Sequence, residues 1–319
     1  MPRADVTTLG EALIRLSVRP GDRIQEAPAF DVHVAGSEAN VAYALARVGV
    51  RSAWASVLPR NPLGERIATT LRSGGVDLAP VAWVDEGRVG TYFVELGAPP
   101  RPTTVTYDRA GSTVALAGPH QLDWAAVCDT KLLHLSGITL GVSPGARAIA
   151  TTAVTEARAR GCEVVLDVNY RARLWTPAEA AEALRALTGR VDLVICKAAD
   201  AEDLFGCAGE PIEIGRRLQD LFEVRTVAVT CGDQPAVALD GERSWACPAH
   251  RVHMIDRVGA GDAFAAGILW GHLDGSLERG LERGVAMAAL KMTLHGDLFT
   301  LDRTAVDALL AQEGRDINR

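Results

Sequence analysis

Short apolar runs punctuate this chain at regular intervals. Those at residues 6–9, 13–18, 53–58, 81–84, 132–137, 164–169, 191–195 and 226–230 read as extended segments, 6–9 as a short buried strand. Helical segments are predicted between and after them, at 43–48, 63–71, 144–160, 177–187, 199–205 and 212–222. The punctuation agrees: Gly49 and the pair Gly74-Gly75 stop helices, Pro144 sits in a first turn, and Ser37 is placed to cap the helix that follows it. Strands and helices that alternate this closely predict a mainly parallel sheet covered on both faces.

Residues 88–115 break the rhythm. Two strand-like stretches, 91–96 and 103–107, flank the turn Gly97-Ala98-Pro99-Pro100 with no helix between them. They predict an antiparallel hairpin that joins the extended pieces near 12–34 in a small separate sheet. Such a sheet would bare an apolar face unless a partner or its own closure covered it. A second hairpin is predicted for 236–239 and 243–246 around Asp240-Gly241 as a type I′ turn. Residues 251–255 alternate as a strand does, and 263–270 form a helical run of small residues.

Composition changes this picture little. The chain has 319 residues, 48% hydrophobic and 23% charged, with net charge −7, as expected of a soluble globular protein. It has no basic block to contact nucleic acid and no apolar run long enough for a membrane span. Residues 1–5 lack the apolar core of a secretory signal, and the six cysteines form no C-x-x-C pair, so buried thiols and a cytoplasmic location are expected.

The chemistry concentrates at Asp256-Arg257-Val258-Gly259-Ala260-Gly261-Asp262-Ala263-Phe264. Two glycines let the backbone bend and let a ligand approach. The helix start behind them offers unpaired N–H groups and the positive end of a dipole, which suits phosphate. Asp262 either caps that helix or accepts a proton from a hydroxyl under phosphorylation. Asp167-Val168-Asn169-Tyr170-Arg171 ends a predicted parallel strand, at the sheet edge where ligands bind, and is either a polar site or a solvated loop. Arg109 at the hairpin end either reaches a substrate or is an exposed charge.

The nine-residue string resembles the C-terminal signature of the ribokinase-like (PfkB) carbohydrate kinases, and Gly36, Asn40 and Gly49 match the N-terminal one. The strings at 109–112, 135–139 and 167–175 resemble the 2-keto-3-deoxygluconate kinase branch. The resemblance implies a single ribokinase-like domain over 1–319, three-layered α/β/α with a mainly parallel central sheet. Its β lid would come from roughly 12–34 and 88–115. It implies transfer from ATP, with Mg²⁺, to the terminal hydroxyl of 2-keto-3-deoxygluconate or a close epimer, giving the 6-phosphate. By motif, Asp262 would be the base and Gly259, Ala260 and Gly261 the anion hole. Gly36, Asn40, Tyr92, Tyr107, Arg109 and Arg171 would contact the sugar acid, whose carboxylate suits arginine forks. Lys197, Thr230, Gly232, Gly259, Gly261 and Lys291 would contact the nucleotide, and Asp200 the metal. The resemblance also allows a monovalent cation near Asp256, as in some relatives, and a homo-oligomer formed through the lid.

The chain departs from the pattern at three places. Ala35 stands where many relatives have glycine, Lys197-Ala198-Ala199-Asp200 replaces N-x-x-E, and Pro235 replaces the second glycine of G-x-x-G. The alternative readings are a kinase of a neutral sugar or nucleoside and, from another class, a catalytically silent sugar- or nucleotide-binding regulator.

Overall fold

Strands that carry apolar side chains on both faces must be covered twice. The computed structural model, which describes residues 2–97 and 100–311, does this with one large sheet and a smaller one. The described strands are β1 (Ala4–Leu9), β2 (Leu13–Ser17), β3 (Asp31–Ala35), β4 (Ser52–Pro59), β5 (Val81–Val84), β6 (Gly90–Glu95), β7 (Thr104–Asp108), β8 (Thr130–Ser136), β9 (Glu163–Asp167), β10 (Leu193–Lys197), β11 (Thr226–Cys231), β12 (Gln234–Asp240) and β13 (Arg243–Cys247). The large sheet runs β13-β12-β11-β10-β9-β8-β1-β4-β5, antiparallel only at the β11-β12-β13 edge. Successive residues face opposite layers. Val164, Leu166 and Val194 pack with Ile149 and Leu218 of helices Pro144–Ala159 and Pro211–Phe222. Val165, Leu193 and Ile195 pack with Val41, Phe264 and Leu281 of helices Ser37–Arg47, Ala260–Leu273 and Leu277–Lys291. This gives the three layers of a ribokinase-like fold.

The small sheet runs β3-β2-β6-β7, with β2 and β6 parallel and its other pairs antiparallel. The predicted lid is therefore present, and β6-β7 is the predicted hairpin; Ala98 and Pro99 of its turn lie outside the described residues. Registers align His33, Arg15, Tyr92 and Tyr107 in one row across this sheet.

Three local expectations are corrected. Residues 251–255 are irregular; they follow the β13 edge and Pro248, and alternation without a paired neighbour does not make a strand. The turn between β12 and β13 is Gly241-Glu242, since Asp240 pairs with Arg243. Only Gly241 of these two has positive φ, which rules out type I′. The helix Ser37–Arg47 is capped by Gly36 rather than by Ser37, and no side chain caps it.

The helix Ala260–Leu273 is apolar on nearly all sides and is buried by Leu277–Lys291. Glycines set their approach: a Cβ on Gly267 would lie 2.4 Å from Gly284 Cα, and one on Gly271 would lie 2.1 Å from Gly280 Cα. Five of the six cysteines are buried, and none is in a disulfide among the described residues. No described helix is long and apolar enough to cross a membrane. Because backbone meets backbone at Gly271, Gly271→Ala should force the helices apart. It should lower stability by about 1–3 kcal/mol, as overpacking does, seen as a lower urea midpoint at unchanged slope.

Candidate active site

The chain leaves β1 toward β4 and β5 on one side and returns to β8 on the other. The crevice between β1 and β8 is thus the switch point at which α/β sheets bind ligands. The first turn of helix Ser37–Arg47 is pinned there. Glu38 Oε1 accepts hydrogen bonds from Ser136 N (3.1 Å), Ser136 Oγ (2.6 Å) and Thr139 Oγ1 (2.7 Å), and the Glu38 carbonyl accepts from Thr8 Oγ1 at 2.7 Å. Gly36, just before, has φ 137°, and a Cβ there would lie 2.3 Å from the Glu11 carbonyl oxygen. Glycine is needed at 36 because the chain entering the lid passes against it.

That anchored turn grips Asp262. Ser37 Oγ donates to Asp262 Oδ1 and Asn40 Nδ2 to Oδ2, each at 2.7 Å. Asn169 Nδ2 donates to Ser37 Oγ at 2.9 Å and to Asp167 Oδ2 at 3.4 Å, so one relay of hydrogen bonds joins both carboxyl groups. Asn169 reaches there with a positive φ of 38°. Asp262 is the third residue of its helix, which no side chain caps, so the capping reading fails. Burial pushes its carboxyl above the usual range, while the bonds from Asn40 and Ser37 and the nearby Arg171 oppose the shift.

Gly259 holds the turn with φ 87°, and a Cβ on it would lie 2.2 Å from the Asp297 carbonyl oxygen. At Gly261 a Cβ would meet nothing within 4 Å, so that side is open. No acceptor among the described residues meets the N–H groups of Gly261 and Asp262, two of the donors a helix start leaves over. They form a ready place for an anion.

Behind the turn lies a buried ionic network. Arg15, 1% exposed, donates to Asp297 Oδ1 and to Asp256 Oδ2, both at 2.6 Å. Asp256 also accepts from Val258 N (3.0 Å) and Gly296 N (3.2 Å). Tyr92 Oη donates to Asp297 Oδ2 at 2.5 Å. Tyr92 therefore turns its hydroxyl toward the body of the protein, although its ring stacks near Tyr107 at 5.5 Å. Lys291, expected on the nucleotide, is wholly buried; its Nζ donates to the carbonyls of Asp256 (3.1 Å) and Leu294 (3.4 Å). It supports the turn from inside and does not face the groove.

The remaining expected residues ring the same edge. Arg109 pairs with buried Glu11 and lies 5.9 Å from the centre of the half-exposed Tyr107 ring. Arg171 donates to the Tyr170 carbonyl at 3.1 Å and meets no carboxylate within pairing distance among the described residues. Lys197, the last residue of β10, is in register with Thr230, the penultimate residue of β11, and Gly232 turns the chain with φ 70°. Asp200 is buried and accepts from Tyr170 N at 3.2 Å, and its carboxyl is pushed up by burial. The described residues contain no cluster of three His, Cys, Asp or Glu able to cage a metal. A single carboxylate, such as that of Asp200, would suit Mg²⁺ held largely by phosphate and water.

Sequence reasoning passed over Arg15, Asp297, Glu38 and Glu11 as functional residues. The available signal was a charge inside an otherwise strand-like run at Arg15, and an Asp after a glycine at Asp297.

Burial and Asp262 push the Asp167 carboxyl up to about 8, with Arg171 and Lys197 pulling it back only in part. Between its unfolded value of about 4 and about 8, the folded chain keeps a proton that the unfolded chain releases. This group's contribution to stability is therefore fullest in acid and is lost as pH rises toward 8. Asp167→Asn, which cannot ionise, should melt with the parent near pH 4 and about 2 °C or more above it near pH 8, in thermal unfolding followed across pH.

Comparison with known proteins agrees with this geometry. A model of the pfkB family carbohydrate kinases matches residues 3–303. The 2-dehydro-3-deoxygalactonokinase of Haloferax volcanii is 37% identical over 99% of both chains. The crystal structure of 2-dehydro-3-deoxygluconokinase from Thermotoga maritima is 34% identical, covers 96% of this chain and 98% of its own, and superposes with a TM-score of 0.90. An Escherichia coli structure in complex with ATP and Mg²⁺ shares the fold at 21% identity, with a TM-score of 0.87 over 97% of this chain and 99% of that one. With the glycine turn, the gripped aspartate and the lid in place, the chain belongs to the pfkB family of carbohydrate kinases.

Proposed function

We propose that this kinase transfers the γ-phosphoryl group of ATP to the terminal hydroxyl of a 2-keto-3-deoxy sugar acid, either 2-keto-3-deoxygluconate or its galactose epimer, giving the 6-phosphate. The observation that carries the reading is Asp262. It is a buried carboxylate fixed by Ser37 and Asn40, one residue beyond an open glycine, and its own N–H and that of Gly261 meet no acceptor among the described residues.

The hydroxyl oxygen attacks the γ-phosphorus, the bond to the ADP oxygen breaks, and the hydroxyl proton passes to Asp262. The amides of Gly261 and Asp262, with Gly259 and Ala260 shaping the bend, stabilise charge on the phosphoryl oxygens in flight. Mg²⁺ beside Asp200 would neutralise phosphate charge. Lys197, Thr230 and Gly232 line the path of the nucleotide at the ends of β10 and β11. Gly36 and Asn40 shape the floor of the sugar site. Tyr92, Tyr107 and Arg109 cover it from the lid, with Arg109 held in place by Glu11.

The acid preference rests on Arg171, a partly buried guanidinium free to fork onto a carboxylate, and on the names of relatives at 34–37% identity. A neutral sugar would offer Arg171 no carboxylate to pair with.

Asp262→Asn should lower turnover by about 10²–10⁴-fold, the usual worth of a general base, while calorimetry finds ATP binding unchanged. In the parent, kcat/KM should fall as pH drops through an acid limb lying above the ordinary aspartate range, because only the ionised carboxylate accepts the proton. Near-parental turnover in the Asn variant would remove the mechanism. Arg171→Ala should lower kcat/KM on the sugar acids by about 10- to 150-fold, corresponding to about 1.5–3 kcal/mol for a hydrogen bond to charge. It should leave any slow activity on fructose or ribose unchanged; equal losses on all of these sugars would favour a neutral substrate.

A further inference from the structure

Two carboxylates and two cations meet behind the glycine turn. Arg15 bridges the Asp256 and Asp297 carboxylates, and Lys291 donates to the Asp256 carbonyl. The charges balance: Arg15 and Lys291 against Asp256 and Asp297. All four are buried, with Lys291 0% exposed. His33, beside this group, is half-buried, and burial with Arg15 disfavours its charged form; Tyr92 is held as the neutral phenol by burial and Asp297.

A monovalent cation near Asp256 would need oxygen ligands, and the oxygens on offer are the Asp256 and Asp297 carboxylates, both already paired with Arg15, and backbone carbonyls. The Asp256 and Leu294 carbonyls already accept from Lys291 Nζ, at 3.1 and 3.4 Å. A second cation there would stand against an ammonium and add an unbalanced charge in a region closed to water. The residues present therefore do not fit a bound monovalent ion.

We infer that the Lys291 ammonium is a built-in cation that fixes the Asp256–Gly259 turn, so that the enzyme works without a monovalent ion. Lys291 touches neither substrate nor the reacting atoms in this arrangement. It is a positioning residue, acting through the Asp256 carbonyl on the turn whose amides face the phosphoryl group. This rests on the assignment of that turn to phosphoryl transfer, which the Asp262→Asn variant tests independently.

Truncation separates a cation from a space-filler. Lys291→Ala removes the charge and opens room; Lys291→Met removes the charge and keeps the bulk. The parent should show the same kcat in tetramethylammonium buffer with and without potassium. Lys291→Ala should lose kcat by about 10²-fold, as displacement of a catalytic group by about 1 Å does, with a smaller change in KM for the sugar. Potassium or ammonium should restore part of that loss, and tetramethylammonium, too large to enter, should not. Lys291→Met should lose activity and gain nothing from any salt. A readout without turnover goes with it: small monovalent cations should raise the melting temperature of Lys291→Ala and leave that of the parent unmoved. Activation of the parent by potassium would overturn the inference. So would a Lys291→Ala enzyme that keeps full activity, or one whose melting temperature and rate both ignore potassium and ammonium. If Lys291→Ala folds too poorly to assay, the parent's response to potassium decides alone.

Discussion

One guanidinium, shut away from water, connects the parts that must act together. Arg15 belongs to the lid, Asp256 opens the glycine turn and Asp297 lies in the loop that underlies it. Removing a charge from water costs several kcal/mol unless a partner of opposite sign meets it in good geometry. Here each charge has such a partner, at 2.6 Å on both sides of the guanidinium. Any movement that separates lid from turn leaves unpaired charge in the interior. The network therefore specifies how the two sheets sit, whatever its net contribution to stability.

A second constraint holds the carboxylate. Glu38 fixes the start of its helix in the β1/β8 crevice, and Ser37 and Asn40, one residue before and two after, reach Asp262 from that fixed base. From the other side, the close contact of Gly267 with Gly284 and Gly271 with Gly280 seats the helix that carries Asp262. The position of the carboxylate is thus determined by elements that begin at residues 37 and 260, brought together by packing.

Much of this was legible in the sequence because it is local. A strand is an apolar run, a helix stop is a glycine, and the turn with its aspartate spans nine consecutive residues. The small lid sheet was visible as an interruption of the α/β rhythm. What escaped was whatever depends on distant partners. Arg15 sits in Leu13-Ile14-Arg15-Leu16-Ser17, which reads as an extended piece and says nothing of where its charge goes; its partners lie 241 and 282 residues away. Ser37 reads in the sequence as a capping serine, but its hydroxyl serves a carboxylate 225 residues distant. Lys291 ends a helix, where a cation ordinarily meets the dipole in solvent, and only the fold shows that its tip is sealed inside. Residues 251–255 erred the other way, since alternation cannot reveal whether a sheet edge is available to pair with.

The row formed by His33, Arg15, Tyr92 and Tyr107 has a mechanical meaning. Its inner members are tethered: Arg15 to both aspartates and Tyr92 to Asp297. Of its two outer members, Tyr107 on edge strand β7 has no such tether among the described residues and is 39% exposed. A plate bolted near its middle and loose at its rim can tilt but cannot slide. Any tilt of the sheet then falls to the rim at Tyr107, while Arg15 and Tyr92 keep their distance from Asp297.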